Sequence, residues 1–305
     1  MRRTKMQIKL RYLLVFILPA LILYSVFIIY PLFDSLILSF FSWSGVGART
    51  FVGLKNFQTL FSGSFSKELF NAFFHNVYFF IMLTILELGL GFLIALMLAS
   101  KIKGAGAFRV VTYIPNMIPL VLVGFMWVLF LNPQAGLVNQ FLRLIGLGKL
   151  AQPWLGNAST ALTTIILVNV WRNLGFYVLV ILAAILDISP ELIEAAYIDG
   201  ANNWRITWRI TFPLAFSTFR TLAILLFIWS FNIFDMVYAL EGVQAGPYRS
   251  TDVLGTLFYR TAFGGLGSGA VDMGLGASVT VFIFAIVMPV SILYVYIVEK
   301  RQRSA

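Results

Sequence analysis

The sequence predicts an all-α integral membrane protein, with six transmembrane helices in a single domain over residues 1–305. The chain is 60% hydrophobic and 11% charged, whereas soluble domains are about 45–50% apolar and about 25% charged. Its apolar residues fall in runs of about 20, the length at which an α-helix crosses a bilayer. Each run predicts a helix because backbone groups in lipid must bond within their own segment, and the alternating pattern of a membrane β-barrel is absent.

The six predicted spans are numbered in chain order. The first run follows a basic stretch, as a secretory signal would, but it is longer than a typical signal core and lacks a small-residue cleavage site before Asp34. We therefore expect a retained signal-anchor, which Pro19 and Pro31 kink or end. The spans are Leu13–Leu32, Val77–Ala99, Val110–Leu131, Leu162–Leu186, Leu214–Phe234 and Leu275–Val298.

The distribution of Lys and Arg predicts the orientation. The two termini and the loops after spans two and four carry thirteen basic residues in short segments, and the opposite loops carry seven over much longer stretches. Basic residues concentrate in short cytoplasmic loops, so both termini are predicted to be cytoplasmic. The net charge of +10 is spread in islands between apolar runs, which does not favour a nucleic-acid-binding face.

The residues that carry enzyme or metal chemistry are scarce. The chain has no cysteine and a single histidine, which excludes disulfides and thiolate metal sites. His75 has no candidate ligands near it and is expected in a loop or interface. Gly148-Lys149 lacks the rest of a phosphate-binding loop. We predict no catalytic residues and no metal site.

The cytoplasmic segment 187–213, between spans four and five, contains a predicted short helix. Ser189 is a good N-cap, Pro190 suits the first helical position and Gly200 a C-terminal stop. About ten residues are too few to cross a bilayer, so the helix is suited to dock into a soluble partner. The alternative is an amphipathic helix lying on the membrane, which is disfavoured because such helices usually carry Lys or Arg, whereas this one carries Glu191 and Glu194.

The end of this segment predicts the start of a further element. Asn202 or Asn203 is a suitable N-cap for a second short helix running toward Pro213 and the next span. Leu192, Ile193 and Ala196 are expected to give the first helix its apolar side.

The same segment carries a specific motif. Glu194-Ala195-Ala196 is followed after three intervening residues by Gly200, and after nine more intervening residues by Ile210-Thr211-Phe212-Pro213. This spacing resembles the EAA loop of binding-protein-dependent ABC importer permeases, with Phe212 in place of a leucine. Ile198-Asp199-Gly200-Ala201 resembles the version in the carbohydrate uptake group, which includes maltose-type and glycerol-phosphate-type permeases. Further resemblances lie at Leu18-Pro19-Ala20, Tyr30-Pro31, residues 51–57, Tyr113-Ile114-Pro115, Trp171 and Gly175-Phe176.

The resemblance implies an ABC importer permease fold in a prokaryotic cytoplasmic membrane. It implies that this chain is not an enzyme and binds no cofactor, because ATP and Mg belong to partner ATPases. The partners implied are a second homologous permease, two ATPase subunits, an extracellular solute-binding protein and membrane lipid. Coupling to the ATPase would fall on Glu194, Ala195, Ala196, Asp199 and Gly200.

Polar residues inside spans four and five predict a solute pathway, because such residues are costly in lipid. The four in span four are spaced i, i+3, i+4 and i+7 and share one helix face. The alternative is that they bond neighbouring helices together. Arg172 is expected either to pair with Asp235 or to hold an anionic solute. The candidates are Asn169, Arg172, Asn173 and Phe176 in span four, and Trp229, Ser230, Asn232 and Asp235 in or just after span five.

Two other classes of transport protein fit the sequence less well. An ion-gradient-driven secondary transporter usually has inverted repeats and an intramembrane carboxylate relay, but no repeat is evident and Glu87 is the only acid well inside a span. A six-span channel would need an Arg-rich voltage sensor or a filter-like loop, and neither appears. The sequence leaves the solute open among mono-, di- and oligosaccharides, polyols and glycerol phosphate.

Overall fold

The computed structural model describes residues 10–100, 103–265 and 271–303, and most of these are helical. Within them, five helices are long and apolar enough to cross a membrane, and there are six such segments when a bent helix pair is counted as one span. The two strands are Phe41–Ser42 and Thr50–Phe51, a short antiparallel pair. Five of the thirteen basic residues that predict the orientation lie outside the described residues: Arg2, Arg3, Lys5, Lys9 and Lys101.

Span one is a continuous helix over 10–38. It consists of Leu10–Tyr24, a widened π turn at Ser25–Ile29, and Tyr30–Leu38. The helix continues past its predicted end at Leu32, so of the two predicted effects of the prolines, a kink or an end, the end at Pro31 is wrong. The π turn ends at Ile29, two residues before Pro31, and it contains residue 27, whose carbonyl a proline ring at position 31 would otherwise meet.

Span two begins well before its predicted start at Val77. It comprises Gly63–Leu83, a π turn at Thr84–Leu90, and Gly91–Ala99. Residues 63–76 include charged and amide side chains that lower their hydropathy. They nevertheless form a helix because one face is buried against the rest of the protein, through Leu69, Ala72 and Asn76.

Span three is broken, which corrects the prediction of one helix over Val110–Leu131. The helices Ala105–Met117 and Leu120–Phe130 meet at an angle of 96°. Ile118 is in an extended conformation, as a residue before proline prefers, and Pro119 has no N–H to continue a helical ladder. The two prolines at positions 115 and 119 are the local cause of the break.

Span four, Ala161–Leu186, agrees with the prediction. The second short helix predicted after Asn202 is instead the first turn of span five, because Asn203–Ile206 continues through the π turn Thr207–Thr211 into Phe212–Phe231. The Asn202 side chain caps it, accepting a hydrogen bond from the Arg205 N–H at 2.9 Å. Span six is the helix Met273–Arg303.

Shorter elements connect the spans. Two short helices flank span four and mark the two ends of the molecule. The helix Pro190–Ile198 follows span four at one end, which we call the loop-helix end, and the helix Leu137–Leu144 precedes span four at the opposite end. The remaining connecting elements are the helices Lys55–Leu60, Asp235–Glu241 and Leu254–Phe263, and a 3₁₀ turn at Gly148–Leu150.

The interior is built around span four. More than half of its most apolar window is buried (56%), against 0% for span one and 11% for span six, so the latter two lie at the periphery of the chain. The main apolar cluster joins spans two to five. A second cluster joins the start of span two, the helix Leu254–Phe263 and span six.

A buried polar cluster holds the opposite end together. Arg260 donates two hydrogen bonds to Asp252, at 2.6 and 3.1 Å, and both side chains are almost fully buried. Burial is the largest single influence and would lower the pKa of Arg260, but its hydrogen bonds and charge interactions with Asp252 and Glu68 together outweigh burial and raise the pKa. His75 joins the cluster through Nδ1, which lies 2.7 Å from the Asp252 carbonyl oxygen, so it occupies an interface between span two and the loop.

Candidate functional site

A cavity of about 610 Å³ lies where spans three and five both stop being helical. Span three breaks at Ile118–Pro119. Span five ends at Phe231, and the chain resumes as the helix Asp235–Glu241. Inside a membrane, non-helical backbone is tolerated only where protein buries it or where it lines a cavity, and broken helices commonly frame solute sites in transporters.

The cavity brings together seven of the eight predicted pathway residues. Trp229 is half-exposed, and its ring centroid lies 6.3 Å from that of Phe176, a residue of span four. The seven that line the cavity are Asn169, Arg172, Asn173, Phe176, Trp229, Asn232 and Asp235.

Ser230 does not line the cavity, which corrects its assignment to the pathway. It is fully buried, and its carbonyl oxygen accepts a hydrogen bond from the Asn76 side chain at 2.5 Å. Successive residues of a helix point about 100° apart, so Ser230 and Trp229 point in different directions. Trp229 lines the cavity, whereas Ser230 contacts span two through its backbone.

A chain of hydrogen bonds crosses the cavity wall from span two to span three. Asn169 Nδ2 donates to Glu87 Oε1 at 3.2 Å, and Asn173 Nδ2 donates to Asn169 Oδ1 at 3.2 Å. Asn173 Oδ1 accepts from Asn116 Nδ2 at 3.1 Å and from Arg172 Nη1 at 3.0 Å. The amides predicted to bind solute therefore bond three spans together, which is the alternative role, and solute binding by them stays a prediction.

Arg172 and Asp235 do not pair, contrary to one of the two predicted roles for Arg172. Neither forms an ion pair with any residue that the structure describes. Arg172 instead donates to Asn173, and both charged groups line the same cavity.

Sequence reasoning missed Glu87, Tyr113 and Asn116 as lining residues. Glu87 is an acid inside span two, and its local sequence does not predict contact with span four. It is 1% exposed, and its Oε2 has no hydrogen-bond partner among the described residues. Tyr113 and Asn116 precede the break in span three, so predicting the break from the closely spaced prolines would have suggested them.

Gly175 sets the distance between spans three and four beside this cavity. A Cβ atom on Gly175 would lie 2.3 Å from the Thr112 carbonyl oxygen and 2.8 Å from the Tyr113 Cα. Only glycine permits this approach. The close contact of the two backbones fixes Asn116 against Asn173.

The second candidate site is the helix Pro190–Ile198 at the loop-helix end. Pro190 occupies its first turn as predicted, but the Ser189 side chain makes no capping hydrogen bond. The C-terminus is a Schellman turn: the Ala201 N–H donates to the Ala196 carbonyl and the Gly200 N–H to the Tyr197 carbonyl. Gly200 has a φ of +78°, a conformation that favours glycine.

The predicted coupling residues divide between two faces of this helix. Ala196 is buried against the rest of the protein. It therefore lies outside the exposed contact surface, although the sequence predicts it among the coupling residues. The other four residues, Glu194, Ala195, Asp199 and Gly200, are exposed. Leu192 was expected on the apolar side but is half-exposed.

The loop helix is tied to span five. The Tyr197 hydroxyl donates to Asn203 Oδ1 at 2.6 Å, and Asn203 lies in the first turn of span five. A cavity of about 460 Å³ separates the helix from the ends of spans two and four. The exposed face of the loop helix is therefore connected directly to span five. The connection consists of the Tyr197–Asn203 hydrogen bond and the short segment through Gly200.

Comparison with known proteins identifies the family. Residues 87–304 match the family described as the inner membrane component of binding-protein-dependent transport systems. The chain is 32% identical to the probable ABC transporter permease YurN of Bacillus subtilis, over 81% of this chain and 84% of that protein. It is 31% identical to the trehalose/maltose transport system permease MalF of Thermococcus litoralis, over 96% and 95% of the two chains.

A solved structure has the same fold. A chain of a bacterial ABC transporter involved in the import of the acidic polysaccharide alginate superposes with a TM-score of 0.79 at 24% identity, covering 95% of each chain. The overall fold is therefore that of an ABC importer permease. The protein belongs to the family of inner membrane components of binding-protein-dependent transport systems.

Proposed function

We propose that this permease moves a carbohydrate or a related polar solute, delivered by an extracellular solute-binding protein, by alternating access through the cavity between spans three, four and five. The observation that carries the proposal is the lining of that cavity, which combines amide side chains with exposed aromatic rings. Asn169, Asn173 and Asn232 supply amides, which both donate to and accept from hydroxyl groups. Trp229 and Phe176 supply the apolar faces on which a sugar ring packs.

The size of the cavity and the known relatives support this solute class. Its volume of about 610 Å³ falls in the range of small-molecule sites. A relative whose name gives trehalose and maltose as transported solutes matches almost the whole chain. The ion-gradient-driven alternative has no support from the family.

The loop helix is proposed to transmit the ATPase stroke. Two ATPase subunits bind ATP and Mg, and one of them receives the exposed residues Glu194, Ala195, Asp199 and Gly200 in a cleft. The Tyr197–Asn203 hydrogen bond carries the displacement into span five, whose far end forms part of the solute cavity. The loop-helix end and both termini are then cytoplasmic, and a second permease completes the pathway.

Trp229→Ala tests the solute site. Losing one stacking face costs about 0.5–1.5 kcal/mol, so the half-saturating solute concentration for uptake into proteoliposomes should rise about two- to tenfold. ATP hydrolysis stimulated by the loaded binding protein should persist. Trp171→Ala is the matched control, because Trp171 packs against Trp127 and does not line the cavity. Equal effects of the two substitutions on uptake would contradict the proposed site.

A further inference from the structure

The helix Leu137–Leu144 carries an apolar face that nothing in the described structure covers. Leu137, Phe141 and Leu144 are spaced i, i+4 and i+7, so they share one side of the helix, and Ile145 continues that side. Their exposed fractions are 57%, 60%, 83% and 50% in chain order. Four large apolar side chains on one short helix form a surface that requires a partner.

The orientation of this face is fixed by a buried anchor on the other side of the helix. Asn139 is 1% exposed. Its Nδ2 donates to the carbonyl oxygens of Pro133 and Gln152, at 3.2 and 3.0 Å. Its Oδ1 accepts from the Trp154 indole N–H at 2.8 Å. The helix therefore cannot rotate to bury its apolar face without breaking these bonds.

The polar edge of the same helix is basic. Gln140 lies beside the apolar face, Arg143 lies on the opposite, polar side of the helix, and Lys149 follows in the 3₁₀ turn. Residues 132–160 contain no Asp or Glu. An amphipathic helix with Arg on its polar side, Lys shortly after it and no acids is the pattern of a helix that lies in a membrane interface.

The position of the helix between spans three and four also fits the membrane interface. Span three ends at Phe130 and span four begins at Ala161. Both spans are apolar up to these ends, so the residues between them start and finish at the boundary of the hydrocarbon. The helix begins seven residues after span three ends, within reach of the headgroup layer.

We infer that the helix Leu137–Leu144 is an interfacial anchor in the leaflet opposite the loop helix. Leu137, Phe141 and Leu144 insert at the boundary between headgroups and acyl chains, and Arg143 and Lys149 contact anionic lipid headgroups. Its partner is thus a lipid surface, not another protein. The inference uses the placement and charge of this segment and does not depend on which solute is transported.

The absence of cysteine from the chain permits a direct test. Leu144→Cys and, as the matched control on the polar edge, Gln140→Cys would each be labelled with a nitroxide in the full permease. The protein would be placed in nanodiscs of phosphatidylcholine with or without phosphatidylglycerol. Electron paramagnetic resonance power saturation compares contact with oxygen, which partitions into lipid, and with a water-soluble nickel chelate.

The label at position 144 should contact oxygen more than the nickel chelate, and the label at position 140 should show the reverse. Phosphatidylglycerol should increase the oxygen preference at 144, and Arg143→Gln with Lys149→Gln should abolish that increase. A 144 label open to the nickel chelate would place the helix in water and overturn the inference. A 144 label shielded from both reagents would mean that protein covers the face, which also overturns it. A lipid-facing 144 label without the phosphatidylglycerol effect would overturn the anionic-lipid contact.

Discussion

Asp252 and Arg260 form a buried ion pair at the end opposite the loop helix. The Asp252 carboxylate accepts two hydrogen bonds from Arg260 and one from Thr256, at 2.7 Å. Both charges are almost fully buried. Breaking a buried pair by removing one partner leaves an uncompensated buried charge, which costs about 3–5 kcal/mol.

We therefore expect Asp252→Asn to lower the thermal unfolding temperature of the purified protein strongly. Arg249→Gln is the control, because Arg249 pairs with Glu68 where both side chains are about one-third exposed, and such pairs contribute about 0–1 kcal/mol. Unfolding followed by tryptophan fluorescence in detergent measures both changes. Comparable losses in the two variants would contradict a special role for the buried pair.

Glu241, at the end of the helix Asp235–Glu241, makes the free energy of unfolding depend on pH. Burial raises the pKa of its carboxyl from 4.5 to about 7. The folded state then holds this proton at pH values where the unfolded state has lost it, so the free energy of unfolding falls as pH rises between about 4.5 and about 7.

Glu241→Gln removes this titration, so the variant's unfolding temperature should depend less on pH across that window than the wild type's. The measurement is the thermal unfolding temperature at a series of pH values in one detergent. The prediction fails if both proteins lose the same stability as pH rises from about 4.5 to about 7.

The packing of spans three and four depends on one glycine. A methyl group at Gly175 would meet the Thr112 carbonyl oxygen at 2.3 Å, whereas one at Gly106, on the first half of span three, would meet nothing within 4 Å. Overpacking typically costs about 1–3 kcal/mol. Glycine to alanine in an unobstructed helix instead stabilises it by up to about 1 kcal/mol.

Gly175→Ala should accordingly lower both the unfolding temperature and solute uptake, because it displaces the break in span three from the cavity. Gly106→Ala should leave both unchanged or raise stability slightly. Thermal unfolding and proteoliposome uptake, measured on the same preparations, separate these outcomes. Normal uptake by a stable Gly175→Ala protein would show that the close approach does not shape the cavity.

At the scale of the whole molecule, the proposed transport cycle depends on the loop helix linking an ATPase to span five. Glu194→Lys reverses one charge on its exposed face and should uncouple ATP hydrolysis from solute uptake while leaving the permease inserted in the membrane. Glu191→Lys makes the same change one turn earlier on the helix, outside the motif. ATPase stimulation by loaded binding protein and solute uptake, measured in the reconstituted complex, test both variants.

A Glu194→Lys complex that still bound its ATPase and transported at the normal rate would rule out this coupling role. Equal loss in both variants would assign the effect to the overall charge of the helix, not to Glu194. Membrane insertion, followed by fractionation, must be unchanged for either comparison to hold.

The sequence by itself determined the membrane class, the number of crossing segments, the short helix after span four and the face that carries Asn169, Asn173 and Phe176. These follow from local properties: apolar run length, proline and glycine placement, and helical spacing. The sequence also resembles the family to which comparison assigns the chain. A local pattern is sufficient to predict these features because the bilayer requires every span to bond its backbone groups within its own helix.

Only the tertiary structure decided which residues meet. It showed that span three breaks, that the Ser230 backbone contacts span two, that Ala196 packs inward, and that Glu87 joins Asn169 at the cavity wall. Glu87 and Asn169 are 82 positions apart in the sequence. Their contact depends on how the spans pack and on the close approach at Gly175, and neither property is encoded within a single helix.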